Sequence, residues 1–326
     1  MGHGIGPAVV GRRDRMTPYP GRPHPGRRGF FSLINTLFFL FALTVPATGM
    51  GAITLPQANG DTLTLPRPAE RIITLAPNLA ELLFAAGAGD KLKAVVEYSN
   101  FPAQVADIPR VGNAFRIDLE RIISLKPDLV IAWRSGNPQT ALQKLQELGI
   151  TVLQVEILRP EAIADAVETL ARAAGTVDTG MEVAADLRRK LANLRRDNRN
   201  KPVVDYFFQV AARPLYTVNG RHIISRGLEI CGGRNVFADL PALAPQINLE
   251  SVVLADPAVM IATDKEEGGP ALQIWQDWPR LQAVINDSML YLPADEISQA
   301  TPRFLDSIGL ACIYLDKVRQ SIKKVE

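Results

Sequence analysis

A chain of 326 residues, 47% hydrophobic and 21% charged, has an ordinary globular composition and is long enough for two cores rather than one. Its formal net charge of +2 misleads, because residues 1–52 hold six arginines and one aspartate while the remainder carries 30 basic against 33 acidic residues. That balance gives no electrostatic reason for a nucleic-acid partner.

The arginines belong to a presequence expected over residues 1–52. Arg27-Arg28 is followed by the apolar run GFFSLINTLFFLFALTV and then by the small residues of PATGMGA. A basic segment, an apolar stretch too short for a comfortable membrane span and a small-residue site near Ala47 or Ala52 are the parts of a secretory signal peptide. The mature protein is therefore expected in the periplasm; a retained membrane anchor is the alternative.

The segment ITLPQANGDTLTLP, 53–66, alternates apolar and polar positions around Asn59-Gly60 and predicts a β-hairpin with a type I′ turn. Strand RIITLAP, helix NLAELLFAAGAGD, strand KAVVE, the helix and strand of DLERIISLKPDLVIAW, helix NPQTALQKLQELG and strand TVLQVE follow. Strands alternating with helices of this length predict a parallel sheet covered on both faces, a first α/β lobe over 53–160.

Residues 161–200 carry no strand signal and predict two helices. The second, about 20 residues from Asp178, would be about 30 Å long, enough to cross from one lobe to the next. Its Val183, Leu187, Leu191 and Leu194 follow the helical period, so it is expected to pack along the lobes rather than to float as a linker. After Lys201-Pro202 the alternation resumes through VVDYFFQV, PLYTVNG, HIISRGLEICGG, NLESVVLADPAVMIA and MLYLP, and closes on an amphipathic helix, a second lobe over 201–326. The fold class is α/β: two similar lobes, each a mainly parallel sheet flanked by helices, joined by one long backbone helix.

Only Cys231 and Cys312 occur. An even pair in an oxidising compartment is expected to be bridged, here tying the end of the LEIC helix to the C-terminal helix; two buried apolar thiols are the alternative. Trp275 and Trp278, at helical spacing, are expected to be structural or surface residues.

LERIISLKPDLVIA at 119–132 and LESVVLADPAVMIA at 249–262 match without a gap at Leu119/Leu249, Glu120/Glu250, Pro127/Pro257, Ile131/Ile261 and Ala132/Ala262. One helix-to-strand unit written twice, 130 residues apart, marks the equivalent unit of two similar lobes.

No phosphate-binding loop, nucleophile elbow, metalloprotease or C-x-x-C motif is present. His222 is the one histidine beyond the presequence, too few for a multi-histidine zinc site, and nothing nearby positions a serine for it. A non-enzyme without a resident cofactor or metal is predicted, with an exported hydrolase using His222 as the remote alternative. An exported two-lobed protein of this kind describes a solute receptor, its ligand held between the lobes.

The runs RIITLAPNLAELLFAAG, EYSNFP, IPRVGNAFRIDLERIISLKPDLVIAWRSGN, LEICGGRNVF and ATPRFLDSIGLAC resemble the periplasmic cobalamin-binding proteins of ABC importers, a branch of the helical-backbone receptors for siderophores, haem and corrinoids. The resemblance covers roughly residues 53–322. It implies a monomeric receptor that takes cobalamin or a related corrinoid as its cargo and hands it to an ABC importer permease dimer; a receptor for ferric siderophore or haem is the alternative. It places ligand contacts at Tyr98, Trp133, Tyr216 and Asp295 and permease docking at Glu120 and Glu250. Where relatives carry tryptophans, this sequence has Ala114-Phe115 and Ala244; Phe115 could supply one lost ring.

These residue types suit the implied task. A corrinoid is a broad disc fringed with amides, and tyrosine and tryptophan offer large apolar area with one polar tip. Asp118 and Asn248 read as N-caps, which puts Glu120 and Glu250 in the first helical turn, where the helix dipole favours negative charge.

Overall fold

The computed structural model of the protein describes residues 51–263 and 271–325, so the expected presequence lies, but for its last two residues, outside the described residues. Strands β1 (Ile53–Pro56) and β2 (Thr62–Leu65) form the predicted hairpin, pairing Ile53 with Leu65 and Pro56 with Thr62. Its turn departs from type I′. Gly60 alone in the loop has a positive φ, +90°, while Asn59 accepts from the Asp61 amide at 3.0 Å through Oδ1. An Asx-type contact satisfies the loop without a second left-handed residue.

The first lobe then runs β3 (Ile72–Thr74), α1 (Pro77–Ala85), β4 (Leu92–Ala94), α2 (Leu119–Ser124), β5 (Leu129–Trp133), α3 (Gln139–Glu147) and β6 (Val152–Val155). Helices α4 (Glu161–Ala174) and α5 (Val177–Asn198) connect the lobes. The second lobe comprises β7 (Val204–Gln209), the short hairpin β8 (Ala211–Ala212) and β9 (Leu215–Tyr216), α6 (Ile223–Ile230), β10 (Gly233–Asn235), α7 (Leu249–Ala255), β11 (Val259–Thr263), α8 (Gln282–Ile285), β12 (Met289–Leu292), α9 (Ala294–Ile297) and α10 (Phe304–Val325).

Both four-stranded sheets are parallel, with orders β4-β3-β5-β6 and β10-β7-β11-β12. Each order reads second, first, third, fourth, so the lobes are topological copies. The sequence repeat falls on equivalent elements, α2 with β5 and α7 with β11, in the same register. The copies also share a feature that the residue types do not announce: Lys126 and Asp256, each before the matched proline, adopt φ of +48° and +42°. A following proline disfavours the right-handed helical region, so both helices stop there and the chain turns into the next strand.

Alternate strand residues sort to opposite sheet faces. Ile72, Leu129, Ile131 and Leu153 of the first sheet and Tyr206, Phe208, Val259 and Ile261 of the second belong to one core continuous through α1, α4, α5, α6 and α10. Ile73, Val130 and Ala132 join a second core with α2 and α3; Phe207, Met260 and Ala262 join a third around Trp275. The expectation of two cores is thus corrected: each lobe keeps its own outer core, and the inner faces share one because helices fill the seam. Trp275 is structural, its indole N–H donating to Gln209 Oε1 at 2.8 Å and its ring edge-on to Phe207.

Helix α5, 22 residues and about 33 Å long, is the connecting strut. It buries Ala184, Leu187 and Leu191, and Gly180 touches α4 so closely that a Cβ there would lie 2.1 Å from that of Ala171. Arg188 pairs with Asp165 of α4 at 2.8 Å, and Lys190 pairs with Asp306 of α10. Cys231, the C-cap of α6, is disulfide-bonded to Cys312 of α10, 81 residues on, and both sulfurs sit in the shared core.

Candidate functional site: the cleft between the lobes

A cavity of about 400 Å³ opens between the lobes. The first lobe lines it with residues that follow the C-terminal ends of its four parallel strands: Asn78 after β3, Tyr98 and Asn100 after β4, Trp133 and Ser135 at β5, and Glu156 to Leu158 after β6. The second lobe contributes His222 and Ile223 at the start of α6, Leu243, and Asp295 with Ser298 to Ala300 around α9. In open α/β sheets the crevice beyond the carboxyl ends of the strands is where ligands bind. Here two such crevices face one another.

Tyr98 is the exposed wall of this cavity. Its φ is +66°, a conformation that costs a non-glycine residue about 1–2 kcal/mol, and the residue is 75% exposed. An exposed, strained aromatic residue contributes nothing to packing, so ordinary core packing does not account for it.

Trp133 is held instead of free. Its indole N–H donates to Glu156 Oε1 at 3.0 Å, and Glu156 Oε2 accepts from the Ser135 amide at 2.9 Å. Gly136 permits the ring to lie on the backbone, since a Cβ there would meet it at 1.9 Å. Asn137 fixes the neighbouring strand ends: its Oδ1 accepts from the Trp133 amide at 2.7 Å, and its Nδ2 donates to Leu75 O and Ala114 O at 2.8 Å each.

Phe115, next to that anchored Ala114, lies outside the cavity lining and is 74% exposed. Tyr216 also lies outside the lining; β9 pairs it with Ala211, and its backbone bridges to Gln246. Tyr98, Trp133 and Asp295 are therefore brought together, and Phe115 and Tyr216 are not. The cavity adds Asn78, Asn100, His222, Leu243 and Gln299, none of which the sequence reading assigned to ligand.

Glu120 and Glu250 are exposed in the first turns of α2 and α7. Asp118 accepts from the Arg121 amide at 3.0 Å, and Asn248 from the Ser251 amide at 2.8 Å, as the capping pattern predicts. A larger groove of about 770 Å³ lies beside the end of α5, among Arg159, Arg195, Arg199, Lys201 and Arg226. It has no aromatic wall, and its basic residues suit the negative end of the helix dipole.

Two topologically equal α/β lobes, a packed helical strut and an aromatic-walled cleft define a solute receptor. The chain belongs to the periplasmic binding protein family, whose pattern matches residues 72–296. It is 39% identical over 254 residues to the vitamin B12-binding protein of Vibrio cholerae, covering 78% of this chain and 91% of that one. The vitamin B12-binding protein of Vibrio campbellii is 36% identical over 267 residues, 82% and 96% of the two chains. The crystal structure of the Vibrio cholerae periplasmic vitamin B12 binding protein matches with a TM-score of 0.72 at 39% identity, covering 77% of this chain and 98% of that chain. A periplasmic heme-binding protein from Roseiflexus sp. RS-1 matches with a TM-score of 0.68 at 20% identity and shows the shared fold alone.

Proposed function

We propose that the protein is a periplasmic receptor that captures cobalamin, or a related corrinoid, between its lobes and delivers it unchanged to an ABC importer. The observation that carries this reading is Tyr98, strained and exposed at the rim of a cleft that it shares with Trp133 and Asp295. The relation at 39% identity to a vitamin B12-binding protein supports the ligand. A corrinoid is larger than the 400 Å³ cavity and would stand out of its mouth, where Tyr98 is exposed.

Phe115 and Tyr216 act, in this reading, as outer contacts reached by the protruding part of the ligand. Glu120 and Glu250 occupy the same position of two equivalent helices and offer a bivalent target to a pair of permease arginines. Export through the apolar segment before residue 46 brings the chain to the periplasm, where it works as a monomer without chemistry of its own.

The test is incubation of the purified mature protein with cobalamin and, separately, with haem, followed by gel filtration and a visible spectrum of the protein peak. Co-elution of cobalamin is expected. Retention of haem without cobalamin would overturn the ligand assignment.

A further inference from the structure

His222 is the only histidine among the described residues, and it stands in the cleft wall beside Ile223. It is also the N-cap of α6: its Nδ1 accepts a hydrogen bond from the Ile224 amide at 3.3 Å. A neutral imidazole has one donor nitrogen and one acceptor nitrogen, so the cap at Nδ1 places the proton on Nε2. Among the described residues no acceptor takes that proton. Burial also lowers the pKa of the ring, which keeps it neutral near pH 7.

We propose that His222 is a specificity residue of the receptor: its Nε2–H donates a hydrogen bond to an acceptor oxygen of the bound molecule, an amide carbonyl on the fringe of a corrinoid. This rests on the ligand reading above. The same geometry rules the ring out as a ligand to the metal of the captured molecule. Metal ligation at Nε2 requires a free lone pair there, so the proton would have to move to Nδ1. The Nδ1–H would then face the Ile224 N–H, donor against donor, and the helix start would lose its cap. His222 therefore selects for oxygen acceptors and against capture through an axial metal bond.

The experiment titrates the mature protein and two variants with cyanocobalamin, reading Kd by tryptophan fluorescence and stability by thermal melting. His222→Asn keeps a strong capping side chain but is too short to present a donor where Nε2 lies. It should hold the melting temperature of the wild type and bind about tenfold more weakly. His222→Phe should lower both. A His222→Asn protein that binds as tightly as the wild type overturns the assignment. So does a change in the visible spectrum of aquocobalamin on binding that His222→Phe abolishes, because that would show the imidazole on the metal. Failure of the wild type to bind any cobalamin overturns instead the ligand reading on which the assignment rests.

Discussion

Glu81 of α1 and Arg303, just before α10, meet across the two lobes as a bidentate pair, Nε to Oε1 at 2.9 Å and Nη2 to Oε2 at 2.6 Å. Only 4% of the Glu81 side chain is exposed. The guanidinium also lies 3.9 Å from the centre of the Phe101 ring and 3.5 Å from Asp295 O. One arginine thus joins α1, the segment after Tyr98 and the segment of α9, which together form opposite sides of the cleft.

Glu81→Ala would leave that partly buried guanidinium with only Glu296 at 4.0 Å and the Asp295 carbonyl at 3.5 Å, which costs about 3 kcal/mol, the low end for a broken buried pair. Urea denaturation measures it directly. Replacing both partners with apolar residues, Glu81→Leu with Arg303→Met, should restore most of the stability, because an apolar pair carries no desolvation penalty. Ligand affinity should be lower than that of the wild type in the double variant, since Arg303 no longer links the Phe101 ring to the Asp295 carbonyl at the cleft. A loss below about 1 kcal/mol in Glu81→Ala would place this pair with exposed surface bridges and remove the argument.

Tyr98→Gly separates stability from binding. Glycine adopts a φ of +66° without strain, and the exposed ring buries little in the unliganded protein. The variant should unfold at an equal or higher urea concentration than the wild type, while cobalamin binding weakens about tenfold through lost ring contact. Lower stability with unchanged affinity would show that the tyrosine is structural after all.

The elements were legible where period and capping agree. The strand pattern of β5 and β11, the caps Asp118 and Asn248 and the apolar stripe of α5 follow from local residue types, and all occur as expected. Three features were not legible, each for a physical reason. Glu81 and Arg303 lie 222 residues apart, so only the packed fold brings them together. The place of Tyr216 depends on the short hairpin β8–β9, whose register holds it off the cavity lining. His222 looked like an isolated histidine because its cap reaches a backbone amide, a partner that leaves no mark in the residue pattern.

The docking pair makes a prediction in cells. Glu120→Ala combined with Glu250→Ala removes two exposed charges from helices that keep their caps, so ligand affinity and melting temperature should not change. Uptake of cobalamin by a strain that depends on this receptor should be abolished if the proposed bivalent contact is made through these two carboxylates. Each single variant should show intermediate uptake. Normal uptake by the double variant would refute the docking role.

The disulfide closes a loop of 81 residues inside the second lobe. By the loop-entropy relation, its removal should cost about 4.5 kcal/mol. Cys231→Ala with Cys312→Ala, followed by urea denaturation, tests this. Both sulfurs are buried, so mild reductant applied to the folded protein should leave the bridge intact until the second lobe opens.

The pH dependence of stability follows from His222. Burial holds its pKa in the folded protein below the ordinary value, and only the neutral ring can accept from the Ile224 amide. Above about pH 7.5 the ring is neutral in both folded and unfolded chains and contributes no slope. Below that, the unfolded chain takes up a proton that the folded chain refuses, so stability falls with falling pH until the lowered folded pKa is passed. His222→Asn cannot titrate and should lack this segment of the curve. The hydrogen bond from Arg188 holds Glu168 below its usual range, and that contribution is lost in a more acidic window, below about pH 4.5. Denaturant midpoints measured between pH 4.5 and 7 isolate the histidine; parallel curves for wild type and His222→Asn would show that the ring titrates alike in the folded and unfolded chains.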